Sequence, residues 1–132
     1  MATIFTKIIN GEIPCYKIAE NDKYFAFLDI NPLKIGHTLV VPKTEKDYIF
    51  DMGDEDLSGL VLFSKKVAIG IEKAIPCGRI GIAVIGLEVP HVHIHLVPMD
   101  RMDDLNCHNP KMKLSQEEFT KIAKKISEKI VL

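Results

Sequence analysis

Four of the five histidines sit in two short apolar contexts. His37 opens His37-Thr38-Leu39-Val40-Val41, and the other three alternate with aliphatic residues in His91-Val92-His93-Ile94-His95-Leu96-Val97. Side chains of a strand alternate between faces, so His91, His93 and His95 share one face about 6 to 7 Å apart while Val92, Ile94 and Leu96 share the other. Three polar rings in a segment otherwise suited to burial are costly unless chemistry uses them.

Two chemistries use such a cluster. Imidazole nitrogens bind zinc or iron, with His37 or Asp100 as the residue able to complete the ligand set. Alternatively, a neutral imidazole attacks phosphorus to give a phosphoramidate that water later breaks, and a neighbouring imidazole carries a proton to the leaving group. Crowding suits the second role, because like-charge repulsion discourages more than one ring from being protonated near neutral pH.

The elements that must position these residues are readable in outline. Residues 3 to 9, with Ile4, Phe5, Ile8 and Ile9 apolar and Gly11 beyond, predict a short helix closed by glycine. Tyr16 to Ala19 and Tyr24 to Asp29, separated by a polar turn, predict a hairpin. The loop Asn31 to Gly36 leads into a strand over His37 to Val41, stopped by Pro42. From Asp54 the apolar residues recur every three and four positions, predicting an amphipathic helix that Pro76 and Gly78 end. Arg79 to Ile85 and Val92 to Val97 read as two further strands. Ser115-Gln116-Glu117-Glu118 has the form of a capping box before a C-terminal amphipathic helix. Strands grouped on either side of one long helix argue for an α+β domain on an antiparallel sheet, and no G-x-G-x-x-G supports a dinucleotide fold.

The remaining features narrow the class. A length of 132 residues with 47% apolar composition fits one compact domain, 1–132, in which 105–132 forms a C-terminal extension. A net charge of −1 carries no basic footprint for nucleic acid, and the six lysines against three glutamates in residues 111–132 read as a solvated helix face. No apolar run approaches the roughly 20 residues of a membrane span, and the first residues lack the pattern of a signal peptide. Cys15, Cys77 and Cys107 show no pairing or metal spacing, which fits a reducing cytosol, so a cytoplasmic protein without membrane or nucleic-acid partners is expected.

The chain resembles the histidine triad (HIT) family. HVHIHLV matches its signature, and TIFTKIINGEIP, FAFLDINP and GHTLVVPK occur in the order and spacing of the nucleotide-binding branch, so the likeness covers about residues 3 to 100. The resemblance implies a five-stranded antiparallel sheet with one long helix, a short N-terminal helix and a C-terminal helix, paired into a homodimer. It implies a nucleoside phosphoramidase or nucleotidyl hydrolase acting on a purine nucleotide with an AMP or GMP moiety, without cofactor. By matching position, His93 is the nucleophile, His91 and His95 flank it to hold its tautomer, contact phosphate and move a proton, and His37 is a fourth histidine beside the triad. Asp29 matches the ribose-binding carboxylate, and Ile4, Phe5, Ile8, Phe27 and Ile30 match the apolar slot around the base.

This chain departs from the family pattern in two places. Before the triad, where many relatives carry an asparagine and A-G-Q-[ST], it has a shorter loop with Leu87, Glu88 and Val89. Backbone N–H groups there can still cradle phosphate, and Glu88 is expected to alter the leaving-group preference. Some relatives also hold a structural zinc through an N-terminal C-x-x-C. Thr3 and Thr6 stand at the comparable places, so no metal is expected there.

Overall fold

Asn21 accounts for the first hairpin. Its Oδ1 accepts the backbone N–H groups of Lys23 (2.9 Å) and Tyr24 (2.8 Å), an Asx turn that reverses the chain between β1 (Lys17–Glu20) and β2 (Tyr24–Leu28). The computed structural model describes residues 2–132. β2 pairs antiparallel with β3 (Thr38–Pro42), from Tyr24 opposite Pro42 to Leu28 opposite Thr38. The chain then crosses one face of the sheet through α2 (Asp54–Ala74) and returns as β4 (Arg79–Ala83) and β5 (Ile94–Met99). The five strands lie in the order β1-β2-β3-β5-β4, with every pairing antiparallel. This is the expected α+β architecture.

The two faces carry different loads. On one, Ile18, Ala26, Leu28, Val40, Ile94 and Leu96 pack against Leu60, Phe63, Val67 and Ile71 of α2 and against Phe119, Ala123 and Ile126 of the last helix, α3 (Gln116–Ser127). On the other, Phe25, Phe27, Leu39 and Val41 meet Phe5 and Ile8 of α1 (Ile4–Ile9). A helix of six residues does not hold itself together in water. Burial of Phe5 and Ile8, about 1.5–3 kcal/mol each, and the Thr3 hydroxyl that caps the Thr6 N–H at 3.1 Å keep it in place.

Several boundaries differ from the sequence reading. β5 begins at Ile94 rather than Val92, because the Val92 N–H donates to the Lys46 carbonyl (2.7 Å) and the His91 N–H to the Val89 carbonyl (2.8 Å) instead of entering the ladder with β3. β4 stops at Ala83, opposite His95, and does not continue to Ile85. Two 3₁₀ turns, Ile49–Asp51 and Met102–Leu105, were not foreseen. The capping box is present as read: Ser115 Oγ accepts the Glu118 N–H and the Glu118 carboxylate accepts the Ser115 N–H, both at 3.1 Å. α3 stands on the α2 side, away from α1, because Phe119, Ala123 and Ile126 pack with the α2 residues. The stretch leading to it reaches the other side, where the Met112 N–H donates to the Pro32 carbonyl at 2.8 Å and the Lys111 charge is felt by Asp29 and His37.

Candidate active site

His37, His91, His93 and His95 converge on the α1 side of the sheet. His93 and His95 have ring centroids 5.0 Å apart, His37 and His95 5.2 Å, and the Phe5 ring lies 5.0 Å from His93 and 5.7 Å from His91. The rings of His93 and His95 sit closer than strand spacing alone predicts because they meet edge to face.

His37 is placed by a tight loop. Gly36 has φ +93°, a left-handed conformation that side chains rarely adopt, and a Cβ there would stand 3.1 Å from Ile75 and 3.2 Å from Pro98. The Asp29 N–H donates to the His37 carbonyl (3.0 Å) and the His37 N–H to the Lys34 carbonyl (3.1 Å), so the loop closes on itself. Asp29 is held in the same loop, its Oδ1 accepting the Asn31 N–H at 2.8 Å.

Hydrogen-bond partners assign the protons. The Leu33 N–H donates to His37 Nδ1 (3.0 Å), so that nitrogen is an acceptor and the His37 proton is on Nε2. His37 Nε2–H then donates to His95 Nδ1 (3.0 Å), which leaves the His95 proton on Nε2. His93 Nδ1–H donates to the His91 carbonyl (2.8 Å), so in neutral His93 the lone pair is on Nε2. The His91 ring is engaged at both ends: Nε2–H donates to the Pro42 carbonyl (2.8 Å) and Nδ1 accepts from the Thr3 hydroxyl (2.7 Å).

Electrostatics keep three of these rings neutral. Burial, reinforced by the Lys111 charge, lowers the pKa of His37 to about 4, and burial with the neighbouring His37 and His93 lowers that of His95 to about 4. Burial also depresses His91, against the opposing pull of its Pro42 hydrogen bond and of Glu45. Burial raises the Asp29 carboxyl, partly offset by the Asn31 N–H. Asp29 Oδ2 lies 3.6 Å from His37 Nε2, but a neutral His37 makes that contact no ion pair at pH 7.

The structure divides the other sequence-predicted residues. Phe5, Ile8 and Phe27 are buried in the core beneath the cluster, whereas Ile4 and Ile30 are exposed. Val89 packs against that same core, but Leu87 is 90% exposed and Glu88 is exposed beside it. Asp100, considered as a metal ligand, instead accepts the Gly78 N–H at 2.8 Å and is not part of any such cluster among the described residues; Asp29, His37 and His95 are the group that meets within 4.8 Å. A cavity of about 540 Å³ between β1 and α3 is lined by Cys15, Tyr16, Lys17 and α3 residues and contains no histidine. Sequence reasoning missed Glu45, the Pro42 carbonyl and the Leu33 N–H, all in loops or at strand ends without a recognisable pattern.

The HIT domain profile matches residues 10–102. The chain belongs to the HIT family. Among its HIT relatives, an adenosine 5′-monophosphoramidase of Schizosaccharomyces pombe is 37% identical over 133 residues, covering 98% of this chain and 99% of the relative. An uncharacterized HIT-like protein of Borreliella burgdorferi is also 37% identical, over 94% of this chain and 95% of its own. Among solved structures, a HIT-like protein of Bartonella henselae superposes with a TM-score of 0.83 at 29% identity, covering 97% of this chain and 96% of that one.

Proposed function

We propose that this HIT protein is a nucleotide-binding hydrolase that cleaves purine nucleoside phosphoramidates or related nucleotidyl compounds through a covalent intermediate on His93. The observation that carries the reading is the division of tautomers: Nε2 of neutral His93 offers a lone pair while Nε2 of its neighbour His95 offers a proton. A nucleophile and an acid side by side are what displacement at phosphorus requires.

In the first step His93 Nε2 bonds to the α-phosphorus, the bond from phosphorus to the leaving nitrogen breaks, and the departing amine takes the proton of His95 Nε2. In the second, water attacks the same phosphorus, His95 Nε2 takes back a proton, and the bond to His93 breaks to release AMP or GMP. The two Asp29 oxygens have lone pairs left for the vicinal hydroxyls of a ribose. Ile4 and Ile30, exposed over buried Phe5, Ile8 and Phe27, supply an apolar edge for the base. Backbone N–H groups of Leu87, Glu88 and Val89 serve the phosphate. The name of the fission-yeast relative supports the adenosine case.

The close approach of Asp29, His37 and His95 favours a second reading, a metal-dependent hydrolase. It is the weaker one. His37 Nδ1 already accepts from Leu33 and His95 Nδ1 from His37, so a metal would have to break that chain to find a lone pair on either ring. We therefore assign no metal or cofactor to the site.

The domain, with 105–132 as its C-terminal extension, is proposed to act in the cytoplasm as a homodimer. Exposed Ile82 on edge strand β4, and Leu62 and Ile69 one heptad apart on α2, support that pairing. No helix among the described residues is long and apolar enough to cross a membrane.

Brief mixing of the protein with an adenosine phosphoramidate, followed by mass spectrometry, tests the mechanism. An adenylyl adduct and free AMP are expected from the wild type and neither from His93→Ala. Nucleotide binding without adduct or AMP makes the chain a binding module. Turnover abolished by chelator and restored by metal supports the metal reading.

A further inference from the structure

Three distant pieces of chain meet around the His91 ring. The Thr3 hydroxyl lies 2.7 Å from His91 Nδ1 and accepts the Thr6 N–H at 3.1 Å. Glu45, in the loop after β3, accepts the Thr3 N–H at 2.8 Å through the same Oε1 that takes the Thr6 hydroxyl. Pro42, three residues before Glu45, and Lys46, the residue after it, complete the grip: the Pro42 carbonyl takes His91 Nε2–H, and the Lys46 carbonyl takes the Val92 N–H.

The proton count through this network has one consistent solution. The Pro42 carbonyl is an acceptor only, so His91 carries its proton on Nε2 and presents a lone pair at Nδ1. The Thr3 hydroxyl must then donate to Nδ1, which bears no proton of its own. The Thr6 hydroxyl donates to Glu45, whose carboxylate can only accept. Every group has its partner, and no buried side-chain polar atom among the described residues lacks one.

We propose that Thr3 and Glu45, acting with Thr6, are positioning residues for catalysis: they lock His91 in place so that its backbone carbonyl keeps the proton of His93 on Nδ1 and the attacking lone pair on Nε2. The proposal rests on His93 being the nucleophile. The His91 carbonyl, the acceptor at 2.8 Å from His93 Nδ1, shares a peptide unit with the Val92 N–H that Lys46 holds, so a shift of the 42–46 loop, which Glu45 ties to Thr3 and Thr6, moves that acceptor. None of the three positioning residues needs to touch substrate. A polar pair at the start of α1 and an acid in the loop after β3 thereby act on the reacting nitrogen.

The test is Thr3→Val, which keeps the shape and removes the hydroxyl, alongside Thr3→Ser and Glu45→Gln. Nitrogen-15 spectra of the imidazoles report tautomers without any turnover. In the wild type, His91 is expected as the Nε2–H form and His93 as the Nδ1–H form. In Thr3→Val the His91 proton should stay on Nε2 against the Pro42 carbonyl, while His93 should become a mixture of tautomers, with kcat for an adenosine phosphoramidate down about ten- to a hundredfold, as for other partners that orient a functional histidine, and KM little changed. Thr3→Ser should restore both readouts, and Glu45→Gln should show a smaller loss in the same direction. An unchanged His93 tautomer in a folded Thr3→Val protein, or equal losses in Thr3→Ser and Thr3→Val, overturns the proposal. Failure of the His93 mechanism would show differently, as absence of the adenylyl adduct in the wild type while the tautomer assignments stand.

Discussion

Nε2 of His37 lies 3.0 Å from Nδ1 of His95, and the Leu33 N–H on the far side of the His37 ring fixes the direction in which that hydrogen bond donates. A backbone amide therefore determines, through two rings, which nitrogen of His95 carries a proton. Replacing His37 by alanine removes the donor, and His95 is free to adopt the tautomer with its proton on Nδ1. The expected result is a loss of about a hundredfold in kcat for an amine leaving group, within the range for one general acid. With a leaving group that departs without protonation the loss should be far smaller. Equal losses for both substrates in steady-state kinetics would remove His95 from the role of proton donor.

The same burial makes the fold sensitive to acid. His37 and His95 take up protons near pH 6.5 when unfolded but resist until about pH 4 in the native protein. Between those values the unfolded state binds more protons, so stability is complete above about pH 6.5 and falls as the pH drops towards 4. Thermal melting from pH 7.5 to 4 should show a level Tm down to about pH 6.5 and a falling one below it, beginning before most carboxylates titrate. The two rings are hydrogen-bonded to each other, so their titration belongs to the pair. In His95→Gln the slope should be shallower; a wild-type Tm that stays level down to pH 4.5 would contradict the buried neutral pair.

Much of the scaffold was legible because local signals agreed with the global one. The β-branched run around Val40, the alternation around Ile94, the three-and-four periodicity of α2, the polar turn at Asn21 and the Ser115–Glu118 box each specify an element from a few adjacent residues. The start of β5 was not legible. His91 and Val92 look like strand residues, yet their N–H groups bond to Val89 and Lys46, a preference set by where the 43–48 loop comes to rest. The four histidines stood out by spacing, while their tautomers did not. Those depend on Thr3 meeting His91 across 88 positions and His37 meeting His95 across 58, contacts that leave no local pattern.

Asp29 offers a direct check on the nucleoside end of the site. Its Oδ1 accepts the Asn31 N–H, and a ribose diol would add hydroxyl donors to the remaining lone pairs. Asparagine keeps the shape but replaces one acceptor with a donor. Hydrogen bonds to a charged group contribute about 1.5–3 kcal/mol, so Asp29→Asn should raise KM about tenfold or more. A 2′-deoxynucleoside substrate should suffer a similar penalty with the wild type and little further penalty with the variant. If the two effects simply multiply, Asp29 and the ribose hydroxyl do not meet.

The proposed homodimer can be tested at the sheet edge. β4 is the terminal strand, and Ile82 is 56% exposed there, an apolar residue on an edge that in a monomer would be a template for association. Leu62 on α2 is 59% exposed, adding apolar surface that a stable interface would bury. Light scattering should therefore give twice the chain mass of 14.8 kDa for the wild type and a shift towards a single chain for Ile82→Asp. Because Ile82 faces solvent in the isolated chain, the substitution should leave the helical spectrum of the monomer intact. A wild type that stays at the single-chain mass at high micromolar concentration would mean that the edge is left unpaired and that each chain holds a complete site by itself.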